Sequence, residues 1–138
     1  NLQDEVGRRV QENGRRVTTA ETVLIYNAAV INLNLHSSVF TNGLDPDGGF
    51  VNPRTFEIAS CEAFQLVDSR LQLTDFFEPD REIAIFSNVD ELRAKIKYYL
   101  AHPQHAKDMA RSARTRVLAE HTYPHRLSEM LKFISQTI

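Results

Sequence analysis

With 138 residues, 42% hydrophobic and 25% charged, the chain has the make-up of one globular domain with a real core, and it is short for a two-domain enzyme. A formal net charge of −2 gives no basic field for nucleic acid, and no apolar run approaches membrane-spanning length, so neither a nucleic-acid partner nor a membrane span is expected. The single cysteine excludes an internal disulfide framework and a multi-cysteine zinc site, and it suits a reducing, cytoplasmic compartment.

From the N-terminus, Leu2, Val6 and Val10 space out a short amphipathic helix that stops near Asn13-Gly14. The stretch has no secretory signal pattern, and a start at Asn1 rather than Met suggests a piece of a longer protein. Residues 15–18 read as a short edge strand, and residues 19–29 as a helix capped by Thr18 or Thr19. Residues 30–35 alternate as a strand should: Ile31, Leu33 and Leu35 predict a packed side, while Asn32, Asn34 and His36 carry polar groups on the other. A long Gly-, Asp-, Asn- and Pro-rich loop, 37–53, then separates this strand from a helix over 53–61, and a connection of that length is more often functional than accidental.

A strand over 64–67, a helical turn over 71–77 and a strand over 82–86 come next. Asn88 caps a helix over 89–101 with Glu91 at the capping-box position and Leu92, Ile96 and Leu100 on one stripe. Pro103 opens a helix to about Glu120, and Pro124 opens a last one through Phe133 and Ile134. Short strands separated by helices predict an α/β fold: a parallel sheet with helices on both faces, binding its ligand beyond the carboxyl ends of the strands.

The helix start at Asn52-Pro53-Arg54-Thr55-Phe56-Glu57 is the clearest candidate site. Asn52 can cap and Pro53 suits the first helical position, so free N–H groups and the positive dipole end lie beside Arg54, a cradle for phosphate. Glu57, three residues on and on nearly the same face, can accept hydrogen bonds from two ribose hydroxyls. The plainer alternative is a surface Arg–Glu pair. His36, Ser37 and Asp68 fall at predicted strand ends beside the loop that feeds Arg54, and that convergence favours a nucleotide site.

Other candidates carry less. His121 and His125 have i, i+4 spacing, but Pro124 lies between them and no third ligand is close, so no metal is assigned. Cys61 reads as a small buried hydrophobe rather than a nucleophile. His36, beside Ser37, is either a residue that binds sugar or phosphate or a hydrogen-bonded structural histidine. No catalytic base stands out.

The ordered series Asn32-Leu33-Asn34-Leu35-His36, Asn52-Pro53-Arg54-Thr55-Phe56-Glu57, Ala63-Phe64-Gln65-Leu66-Val67-Asp68 and Glu120-His121-Thr122-Tyr123-Pro124-His125-Arg126 resembles the group 1 glycosyltransferase-like family related to spore maturation protein B. The likeness runs from about Tyr26 to Leu131, while residues 1–20 match poorly. It implies that residues 1–138 form a single nucleotide-sugar-binding domain, Rossmann-like, the C-terminal half of a GT-B glycosyltransferase whose acceptor-binding N-terminal domain lies elsewhere in the same protein. By the same resemblance Arg54 would contact the donor's phosphate, Thr55 would help through its amide or hydroxyl, and Glu57 would hold the ribose. The donor would be a nucleotide diphosphate sugar, with no separate cofactor.

Two positions depart from the family's pattern. Related retaining enzymes often carry a Glu where this chain has Gly49, and the usual Gly after the cysteine is Glu62, a residue that tolerates positive φ poorly. The competing expectation is a non-enzymatic, response-regulator-like α/β interaction module, which would need an acidic phosphoacceptor pocket around Asp68.

Overall fold

The structure, a computed structural model, describes residues 16–36, 44 and 48–137. The helix expected over Leu2–Val10, Arg15, and the candidate Ser37 lie outside the described residues. Three short strands, β1 (Asn32–Asn34), β2 (Gln65–Asp68) and β3 (Ala84–Phe86), form a parallel sheet in the order β1-β2-β3. Leu33 stands beside Leu66, Asn34 beside Val67, and Asp68 beside Phe86. The helices are α1 (Thr19–Ala28), α2 (Pro53–Ser60), α3 (Leu73–Phe76), α4 (Val89–Ala101), α5 (Pro103–Glu120) and α6 (Tyr123–Thr137).

All four residues of β2 are buried, as a parallel strand covered on both sides requires. On one face Leu66, Ala84 and Phe86 pack with Phe64, Tyr99 of α4, and Ala106, Met109 and Ala110 of α5. On the other, Val67 meets Ala59 of α2, Leu73 and Phe77 around α3, and Ala113 and Val117 of α5. Burial of a side chain such as Phe86 or Phe77 stabilises by about 1.5–3 kcal/mol. α5 reaches both clusters because its buried residues, mostly alanines, recur at helical spacing and let the helix approach closely.

Side chains set the helix starts. Thr18 and Glu21 close a reciprocal capping box on α1. Asn52 caps α2, and Asn88 caps α4, accepting from the Glu91 amide at 2.9 Å, while the Glu91 carboxylate reaches the Ser87 amide. The expected edge strand over 15–18 is absent from residues 16–18, because Thr18 is committed to the cap. The stripe on α4 also differs from expectation: Leu100 is 57% exposed, whereas Tyr99 is buried, its ring 4.4 Å from that of Phe64.

β1 reverses the predicted burial. Asn32, Asn34 and His36 are buried, while Leu33 and Leu35 are 48% and 46% exposed. Leu33 shares the face of Leu66, where α4 and α5 cover β2 and β3 and leave the flanking strand half open. The opposite face of β1 lies under α2, and its asparagines bury because every amide finds a partner there.

Candidate functional site

The α2 N-terminus is fastened to the carboxyl end of β1 by a buried amide network. Asn34 Nδ2 donates to Thr55 Oγ1 at 3.0 Å and to Gln65 Oε1 at 3.1 Å, and Asn52 Nδ2 donates to Asn34 Oδ1 at 3.1 Å. Asn52 Oδ1 in turn accepts from the Thr55 amide and hydroxyl, both at 3.1 Å, and Gln65 Nε2 donates to the Thr55 carbonyl at 2.9 Å. Thr55, fully buried, therefore spends its amide and hydroxyl on the cap; in this arrangement it shapes the helix end rather than presenting groups outward.

Arg54 and Glu57 sit on the first two turns of α2 with exposed side chains. Among the described residues neither forms an ion pair, with the other or with a third group, so they do not form the plain surface pair that was the alternative reading. Tyr26, half-buried at the end of α1, lies close enough to sense both: burial pushes its hydroxyl pKa up, the Glu57 carboxylate adds to that, and Arg54 opposes it. Tyr26 was not a sequence candidate, because nothing in its spacing distinguishes it from a packing residue.

Beyond the ends of β1 and β2, His36, Asp68 and Arg70 form a buried trio. His36 Nδ1 is 2.6 Å from Asp68 Oδ1, which also accepts from the His36 amide at 2.9 Å. Arg70 donates to Asp68 Oδ2 at 2.7 Å and to the His36 carbonyl at 2.8 Å. Burial pushes the Asp68 carboxyl up, but the hydrogen bonds from His36 and Arg70 together outweigh it and hold the group below its ordinary value. Arg70 escaped sequence reasoning, although its place two residues after Asp68 on an extended segment was a usable signal.

Gly49 is exposed, and a Cβ added there would meet nothing within 4 Å. Gly49→Glu is therefore expected to change stability by less than about 0.5 kcal/mol; a larger drop in a urea melt would show that the backbone needs glycine there. Glu62 does take the left-handed conformation the family's glycine would favour, with φ of 57°. Its carboxylate pairs with Arg114 at 3.1 Å and Arg111 at 3.9 Å, both exposed contacts of small worth.

His121 and His125 point to separate protein partners: His121 Nε2 donates to the Phe76 carbonyl at 3.1 Å, and His125 Nδ1 accepts from the Thr122 hydroxyl at 2.8 Å. With Arg126 4.9 Å above the Phe76 ring, they seat the start of α6. Cys61 is partly rather than fully buried. A cleft of about 320 Å³ bounded by Tyr26, Val30, Glu62, Phe64 and Ala106 opens at the amino ends of the strands, the end at which parallel sheets do not bind their ligands.

A parallel α/β sheet with a capped helix start at a strand's carboxyl end is a Rossmann-like frame, and such sheets bind their ligands beyond the carboxyl ends of the strands. Residues 3–132 match the model of a family described as glycosyl transferase-like, and the chain belongs to that family. The match reaches further toward the N-terminus than the motifs alone suggested. The chain is 30% identical over 98 residues to spore protein CgeB of Bacillus subtilis (strain 168), a stretch covering 68% of this chain and 29% of CgeB. Among solved structures it superimposes on sucrose-phosphate synthase of Thermosynechococcus elongatus with a TM-score of 0.69 and 16% identity, covering 88% of this chain and 29% of that one. At that identity the likeness shows the fold, which is the Rossmann-like α/β fold expected of a GT-B glycosyltransferase domain. The chain thus spans under a third of the length of either protein. Among the described residues no helix is long and apolar enough to cross a membrane.

Proposed function

We propose that this domain binds the nucleotide diphosphate sugar from which a glycosyltransferase passes a sugar to an acceptor. The observation that carries the reading is the α2 start: a helix end pinned at the carboxyl edge of the sheet, with Arg54 and Glu57 exposed and not paired to each other. Arg54 and the helix dipole would hold the diphosphate and stabilise the charge that develops on it as the sugar leaves. Glu57 would accept from the ribose hydroxyls, with Tyr26 beside it, and His36 would lie on the sugar side of the site. Ser37 follows His36 directly in sequence and belongs to the same proposal.

A glutamate is absent at position 49, so the protein would either use inverting chemistry with a base from an N-terminal acceptor-binding domain of the same protein or draw its sugar contacts from His36 and residues 45–49. The isolated domain would then be inactive, would need no separate cofactor, and would work in the cytoplasm. A response-regulator-like module fits less well, because Asp68, its one candidate phosphoacceptor, has a side chain only 1% exposed and already bonded by Arg70 and His36.

Calorimetric titration with UDP, GDP, ADP and dTDP tests the reading, with weak binding of at least one expected. Arg54→Ala should weaken that diphosphate about tenfold or more while leaving the nucleoside's affinity unchanged, since a charge-assisted contact to phosphate is lost. Glu57→Gln should weaken both. Parent-like binding by the two variants would remove them from the site, and no heat with any diphosphate at millimolar concentration would defeat the reading.

A further inference from the structure

His36 follows Asn34 on the same face of the first strand, roughly 6.6 Å further along at ordinary strand spacing, and so lies beyond the point where Asn34 ties down the α2 start. Its Nδ1 meets Asp68 Oδ1 at 2.6 Å. An ionised carboxylate only accepts hydrogen bonds, so Nδ1 carries the proton. Nε2 is buried and has no hydrogen-bond partner among the described residues. With the proton on Nδ1 and no acceptor facing Nε2 among the described residues, the ring can present Nε2 as an acceptor. Arg70 joins the two other members, bonding Asp68 Oδ2 and the His36 carbonyl, which fixes the carboxylate with Oδ1 toward the ring.

We propose that Asp68 and Arg70 are positioning residues that hold the His36 imidazole with its proton on Nδ1, so that Nε2 accepts a hydrogen bond from a hydroxyl of the donor's sugar. This rests on the donor-binding reading above and narrows it. Phosphate oxygens are themselves acceptors and offer nothing to a bare ring nitrogen, whereas a sugar hydroxyl does. A buried acceptor left without a partner is costly, and a ligand hydroxyl that reaches it recovers that cost.

The test is nitrogen NMR of the 15N-labelled chain, with His36→Gln assigning the His36 ring signals. In the free chain Nδ1 should show the protonated, pyrrole-type shift and Nε2 the bare, pyridine-type shift. Titration with UDP-glucose and with GDP-mannose should move Nε2 toward the pyrrole-type position with at least one of them. The matching nucleoside diphosphate, which carries the ribose but not the transferred sugar, should leave Nε2 in place. Two protonated nitrogens in the free ring, or equal movement with sugar and without it, would overturn the proposal. Calorimetry on the same samples separates the remaining failures: a nucleotide sugar that binds without moving Nε2 removes the role of His36 alone, and no binding by any of the four removes the donor-binding reading and this proposal with it.

Discussion

Asp68→Ala is expected to cost about 3–5 kcal/mol of folding stability, the largest loss of any single change in the site. The carboxylate ties the two β-strand ends together at this point: it accepts from the His36 amide and ring and from Arg70, and its side chain is 1% exposed. Alanine removes all three acceptor contacts, including the one from the Arg70 guanidinium, which is 4% exposed. Because the folded carboxyl is held below its ordinary value of 3.8, the contribution is fully present above that pH and is lost as pH falls through the lower folded value. Urea unfolding at pH 7 and at pH 3 checks both statements. The gap between parent and variant should be widest at pH 7 and narrow in acid; a loss under 1 kcal/mol at pH 7 would show that the trio does not hold the strand ends together.

Asn34→Leu is expected to cost about 2–4 kcal/mol, whereas Leu33→Asn should cost less than about 1 kcal/mol. Leucine matches asparagine in size, but it would leave Thr55 Oγ1, Gln65 Oε1 and Asn52 Nδ2 without the bonds Asn34 supplies. Loosening them also frees the α2 start, so the variant should bind nucleoside diphosphates more weakly even under conditions where it remains folded. Leu33, nearly half exposed, gives up little when it becomes polar. Paired denaturation curves decide the matter: if Leu33→Asn proves the more damaging change, Leu33 rather than Asn34 is the buried residue of β1.

Much of this was legible in the chain. Asn52 and Pro53 announced the α2 start, Asn88 and Glu91 the α4 start, and Pro103 the α5 start, because caps and proline act within a turn of their own position. The alternation of helices with short apolar runs was enough for a parallel sheet covered on both faces, and the motif series was enough for the family. The three-residue spacing of Arg54 and Glu57 put both on one exposed face of α2.

Other features needed the folded chain. The period of two in residues 31–36 separated two sides correctly but could not say which side was buried, since that depends on where α2 and α4 pass over the sheet. The same limit explains α4, where Tyr99 rather than Leu100 turns inward to meet Phe64. His36, Asp68 and Arg70 are brought together only because β1 and β2 pair in register, across a separation of more than thirty residues that no local pattern spans. The sequence by itself determined the order of the elements, their caps and the family, all of which depend on near neighbours. The tertiary structure alone decided which polar groups are buried and satisfied, because burying a polar group is favourable only when distant segments supply its partners.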